Sequence, residues 1–179
     1  MSDHGVVTGE GILRFERLLP GPIERVWTFL TESEQRGRWL ATGNMELRVG
    51  GRVELLFRHA DLTSSVEPTP EKFKRYEYGT GFEGRVTRCE PPRVLSYTWG
   101  GEANESEVTF ELTPRGDATL LVLTHRRLGK ERAVMANVAS GWHTHLGILT
   151  DALGGVERRP FWSTHARMEA EYTERLAET

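Results

Sequence analysis

Hydrophobic and polar positions along the chain change their period several times, and each change marks an element. From Ile12 to Leu19 the residues are extended in character and stop at Pro20-Gly21-Pro22, a turn signal whose last proline suits the first turn of a helix. Val26, Phe29 and Leu30 then fall at helical spacing, and Ser33, Gln35 and Arg36 open a second short helix running toward Trp39-Leu40. After Gly43 a strand is expected over Met45–Val49, ended by Gly50-Gly51. In the next strand Val53, Leu55 and Phe57 alternate with Glu54, Leu56 and Arg58. Residues 59–78 lose the rhythm. Ser64-Ser65, Pro68 and Pro70, with Glu67, Glu71, Lys72, Lys74, Arg75 and Glu77, predict a long exposed loop, solvated or forming a rim, of a length that is usually functional or disordered.

From Gly79 the chain reads as a meander. Phe82, Gly84 and Val86 alternate up to Glu90-Pro91-Pro92, and Leu95, Tyr97 and Trp99 share one face before Gly100-Gly101 turns the chain. Val108, Phe110 and Leu112 alternate with Glu107, Thr109 and Glu111, and a strongly apolar strand, Ala118–Arg126, follows the turn at Pro114–Asp117. Met135, Val138, Trp142, Leu146, Leu149 and Leu153 then recur every three or four residues, one stripe of a helix over 131–153 that Gly154-Gly155 stops. A last amphipathic helix, 163–176, carries Met168, Tyr172 and Leu176, while residues 1–10 predict a loose start. Short strands in close succession imply an antiparallel sheet with one dry face, which needs a cover. Only the 131–153 helix is long enough, spanning ~34 Å at ~1.5 Å per residue. The expected fold is therefore α+β: a curved antiparallel sheet wrapped around a long C-terminal helix, with two short helices after the first strand.

Composition narrows the function classes. A length of 179 residues fits one domain able to bury a core without cross-links. The single cysteine, Cys89, excludes an internal disulfide and fits a reducing compartment. Net charge is −3 and no Lys/Arg run exceeds two residues, so neither nucleic acid nor a membrane surface has an electrostatic hold on the chain. No apolar run approaches the ~18 residues of a membrane span, and Met1-Ser2-Asp3-His4-Gly5 lacks a signal-peptide profile, so a cytoplasmic protein is expected.

Several stretches are familiar in combination. Pro22-Ile23-Glu24-Arg25-Val26-Trp27 followed by Arg38-Trp39-Leu40 resembles the opening of the START-like superfamily, to which the birch-pollen-allergen fold belongs. Val49-Gly50-Gly51, Gly84-Arg85-Val86, the run from Glu90 to Trp99, Ser106–Phe110, Leu121–His125 and Gly141–Leu146 resemble its branch named after activator of heat-shock-protein-90 ATPase homologues. The resemblance covers about residues 12–155 and implies a helix-grip fold with a cavity between sheet and long helix. The chain then divides into a helix-grip domain, 1–155, and a helical extension, 156–179.

Within that frame Phe57, Phe82, Tyr97, Trp99, Phe110 and Trp142 face inward, with Trp39, Leu123, Leu146 and Leu149 around them. They are candidates to line a pocket for a small apolar or aromatic molecule, against the plainer reading of a filled core. His125 shares a strand face with Leu121 and Leu123, and His145 sits at the margin of the helical stripe, so both are candidate polar contacts or simply satisfied core-margin histidines. His143 and His145 diverge by ~200° around a helix and cannot share an ion, so no metal is expected. Cys89 has no marked base, and none of the glycine pairs matches a phosphate loop, so neither a nucleophile nor a cofactor is expected. The leading expectation is a non-enzymatic module binding a small hydrophobic molecule. A chaperone-contacting ATPase activator and a cyclase- or hydrolase-like enzyme on the same fold stay open. The 163–176 stripe either docks on its own domain or pairs two chains as a homodimer.

Overall fold

The computed structural model describes residues 2–100 and 106–179. Among these, β1 (Val6–Gly9), β2 (Ile12–Pro20), β3 (Arg52–Phe57), β4 (Thr80–Glu90), β5 (Val94–Trp99), β6 (Ser106–Arg115) and β7 (Ala118–Arg126) form one antiparallel sheet. The strand order is β1-β2-β7-β6-β5-β4-β3, and the sheet is curved but unclosed. Helices α1 (Ile23–Thr31) and α2 (Ser33–Arg36) follow β2, and α3 (Arg132–Leu153) and α4 (Phe161–Ala177) follow β7. This is the expected helix-grip arrangement. No helix of the described residues is long and apolar enough to cross a membrane.

Alternation decides which side of the sheet is dry. On β2, Leu13, Phe15 and Leu19 are at most 1% exposed, while Leu18 between them is 52% exposed. The register carries the dry face across the sheet through the pairs Phe15↔Leu123, Leu123↔Phe110 and Phe110↔Leu95. At Gly84 a Cβ would lie 2.4 Å from the Thr98 carbonyl oxygen, so the β4–β5 approach there admits only glycine.

Helix α3 buries more of its circumference than one stripe requires, because it is packed on two sides. Trp142, Leu146, Leu149 and Leu153 are buried in the main core, and so are Phe161, Met168 and Tyr172 of α4, which lies against α3. The apolar stripe of α4 is thus spent on its own chain. Helix α3 stops where expected: Gly154 N–H bonds back to the Thr150 carbonyl, and Gly155 takes the left-handed conformation, φ 67°. The Arg25 guanidinium donates to the Leu153 carbonyl at 2.7 Å, satisfying one of the last-turn acceptors.

Two expectations are corrected. The strand predicted over Met45–Val49 is not formed; the segment makes an isolated bridge, Met45↔Val53, and then turns, with Gly51 N–H bonded to the Arg48 carbonyl. Two residues separate those partners, so the chain reverses before a ladder can extend. The first residues are not loose, since β1 pairs with β2 at the sheet edge. Gly5 N–H donates to the Tyr172 hydroxyl at 2.7 Å, and His4 Nε2 lies 2.8 Å from Glu171, which ties the start of the chain to α4. The turn expected at Gly100-Gly101 lies partly outside the described residues.

Arg36 organises the crossing from α2 to β3. It is fully buried and donates to the backbone carbonyls of Thr31, Ala41 and Gly43. With that loop fixed, Trp39 inserts into the core and its indole N–H donates to the Phe29 carbonyl at 2.7 Å.

Candidate ligand-binding cleft

The sheet and α3 separate toward one end of the molecule, leaving an open cleft of about 350 Å³. Its sheet wall is Phe57 at the end of β3, Phe82 on β4 and Trp99 at the end of β5. The rings of Phe57 and Phe82 are 5.7 Å apart and those of Phe82 and Trp99 4.9 Å, a continuous aromatic surface. The helix wall is Val138, Gly141, Trp142 and His145, spaced to present one face of α3. Trp99 and Trp142 meet at 4.9 Å where the walls converge.

A third side is built from the long loop and α4. His59, Phe73 and Tyr76 come from the loop, and Phe161, Trp162 and His165 from the first turns of α4. Phe73 stacks on Trp162 at 5.1 Å, and His59 packs against Phe161 at 4.5 Å. The loop is held by polar clips. Glu67 accepts from the backbone N–H groups of Trp162 and Ser163 at 3.0 and 3.1 Å, capping a helix whose own N-cap residue is Pro160 and has no capping side chain. Lys72 donates to the Glu169 carboxylate at 2.5 Å, and Ser64 donates to Glu157 at 3.2 Å.

The histidines around the cleft are neutral. Burial, reinforced by His165, pushes His59 down to about 4, and burial, reinforced by His59, pushes His145 down to about 3. His165 is also lowered by burial, against the pull of Glu169. The Trp39 carbonyl can only accept, so His145 Nδ1, 2.8 Å away, carries the proton and Nε2 keeps the lone pair. His125 lies deeper and is saturated. The Trp142 indole donates to its Nδ1 at 3.0 Å, so Nε2 bears the proton and donates to Ser106 Oγ at 3.0 Å; Ser106 in turn donates to the Trp99 carbonyl. That relay fixes Trp99 and Trp142 relative to each other. His143 faces away, bonded to the Tyr172 hydroxyl at 2.8 Å. Burial raises the Cys89 thiol, which disfavours the thiolate a nucleophile needs.

The family described as activator of Hsp90 ATPase homolog 1-like protein matches residues 20–154. The chain belongs to that family. Its structure is similar to that of a Bordetella parapertussis protein solved by solution NMR, with 47% identity over 97% of this chain and 91% of that one, TM-score 0.81. It is similar to CalU16 from Micromonospora echinospora, with 26% identity over 93% of this chain and 86% of that one, TM-score 0.66. The Aha1 dimer from Colwellia psychrerythraea shares the fold at 19% identity, over 79% of this chain and 95% of that one, TM-score 0.59. No curated protein matches the chain. The activator-homologue match ends at residue 154, short of α4, so the family region supplies two sides of the cleft and the C-terminal helix completes the third.

In this activator-homologue chain the residues expected to form a pocket divide into two groups. Phe57, Phe82, Trp99, Trp142 and His145 line the cleft together. Trp39, Tyr97, Phe110, Leu123, Leu146 and Leu149 are at most 1% exposed and fill the interior beneath α3, where a hollow was expected. His125 belongs with them, fully buried with both ring nitrogens bonded. Sequence reasoning did not find His59, Phe73, Tyr76, Phe161, Trp162 and His165. A signal was present: large aromatics in otherwise polar segments, above all the Phe161-Trp162 pair directly after Pro160.

Proposed function

We propose that this protein is a carrier or sensor that holds a small, flat, apolar molecule in the cleft between the sheet edge and α3. The observation that carries the reading is the set of aromatics, Phe57, Phe73, Tyr76, Phe82, Trp99 and Trp162, that remain partly exposed around one concave space instead of being packed into the core. A core that only needed filling would have closed on them. At about 350 Å³ the space is near the lower end of the ~300–1,000 Å³ typical of small-molecule sites, which suits two fused rings and excludes a long acyl chain or a sterol. A ligand burying ~300 Å² of apolar surface gains ~7.5 kcal/mol at ~25 cal/mol/Å². Association costs reduce that to a micromolar-to-millimolar Kd. Naphthalene is therefore expected to bind saturably in that range, followed by equilibrium dialysis and its own fluorescence. No excess of naphthalene on the protein side of the membrane, even at its solubility limit, would remove the proposal.

The family's description favours a second reading, contact with an Hsp90-type chaperone. Such contact would use the solvent side of the sheet and leave the cleft free. Stimulation of the chaperone's ATPase rate by the purified chain would support it, and no effect at tens of micromolar would dismiss it.

A further inference from the structure

We infer that the cleft's ligand carries a hydroxyl on its aromatic body, a phenol or fused-ring phenol, and that His59 is the residue that receives it. The inference rests on the cleft being a ligand site and goes on to name the ligand's polar group. His59 stands on the single 3-10 turn His59–Asp61 that follows β3, and its ring is enclosed by aromatic neighbours: Phe57 at 6.5 Å, Phe161 at 4.5 Å and Trp162 at 5.0 Å. Its Nδ1 is buried without a hydrogen-bond partner, the one such side-chain atom among the described residues. A buried polar atom left unpaired gives up its hydration with nothing in return, and native structures rarely keep one without use. The same imidazole lines the cleft, so a molecule seated there is placed to complete it.

The chemistry of the partner follows from the groups that face His59. His145, with ring centre 6.0 Å away, has its proton committed to the Trp39 carbonyl, so what it offers is a lone pair. His165, on α4, is held by burial toward its neutral form, and Tyr76 is the remaining titratable side chain of the lining. The site therefore presents neutral imidazoles and no fixed cation among its lining residues. A carboxylate would be stripped of water with no counter-charge. A hydroxyl both donates and accepts, so it satisfies His59 Nδ1 in either tautomer.

Calorimetric titration of the full chain with naphthalene, 2-naphthol and 2-naphthoate reads this directly. Although 2-naphthol is the less hydrophobic, it is expected to bind about fivefold to tenfold tighter than naphthalene, as one hydrogen bond would give, and 2-naphthoate weaker than both. In His59→Phe, which keeps a flat ring against Phe161, 2-naphthol and naphthalene should bind alike. Equal affinities in the wild type, a preference that survives in His59→Phe, or 2-naphthoate binding tightest would each overturn the inference. Naphthalene binding without preference removes this inference alone, and failure of both compounds to bind removes the cleft proposal with it. Should His59→Phe not fold, the 15N resonance of wild-type His59 Nδ1 decides. It should move far more with 2-naphthol than with naphthalene, and equal movements would refute the assignment.

Discussion

Gly141 offers a perturbation in which stability and binding should move in opposite directions. It lies inside α3 and lines the cleft, and a Cβ placed on it would meet nothing within 4 Å. Glycine within a helix costs ~0.8–1.0 kcal/mol relative to alanine. Gly141→Ala should therefore stabilise the fold by about 0.5–1 kcal/mol, a rise of a few degrees in Tm for a chain of this size. Gly141→Leu keeps most of that gain but sends about four carbon atoms into the cleft. Each takes close to a water molecule's ~30 Å³ share of liquid volume, so on the order of a third of the roughly 350 Å³ is filled. A ligand that loses ~100 Å² of its ~300 Å² contact loses ~2.5 kcal/mol at ~25 cal/mol/Å², or about 60-fold in Kd. Thermal unfolding followed by circular dichroism and dialysis of naphthalene supply the two readouts. Generic damage would lower both. Loss of stability in Gly141→Ala, or undiminished naphthalene binding by Gly141→Leu, would refute the geometry assigned to this wall.

Acid should destabilise the fold over a defined window. Burial lowers His59, His125 and His143 from 6.5 to about 4 and His145 to about 3, so the unfolded chain takes up protons first as pH falls. Stability is then full above pH 6.5 and drains between 6.5 and about 3, with fully buried His125 alone contributing on the order of 3 kcal/mol at ~1.36 kcal/mol per unit; urea midpoints at pH 7 and pH 5 that coincide would contradict this. Glu67→Ala removes the acceptor for the Trp162 and Ser163 amides, so it should cost about 1 kcal/mol and speed hydrogen exchange at those two amides. Unchanged exchange would show that the loop is held by other means. Arg36→Met strands the three carbonyls that Arg36 satisfies, and at ~1–3 kcal/mol per buried orphan denaturant unfolding should show a loss of at least ~3 kcal/mol.

The fold was legible because its determinants are local and periodic. Alternation through β2 and β4–β7 named the dry face, and the three-and-four spacing from Met135 to Leu153 named the covering helix. Which inward residues would line open space was not legible, since alternation reports a face and not a position along it. Tyr97 and Trp99 share one face of β5, yet Tyr97 is packed in the core while Trp99, at the strand's end, borders the cleft. The third side was hidden for a different reason. Its residues lie in polar, proline-containing segments without a period, and they are brought together by contacts across long sequence separations, such as Glu67 with the start of α4. The Met45–Val49 strand failed for want of length, a constraint that hydropathy does not register.

The five tryptophans place a direct test of the ligand's position within one spectrum. Trp99, Trp142 and Trp162 line the cleft, whereas Trp27 and Trp39 do not, and the Trp39 indole is committed to the Phe29 carbonyl. In a two-dimensional 1H–15N NMR titration with naphthalene, the indole signals of Trp99, Trp142 and Trp162 should shift together and saturate, while those of Trp27 and Trp39 stay still. Uniform drift of all five, or movement confined to Trp27 and Trp39, would contradict a ligand site between the sheet edge and α3.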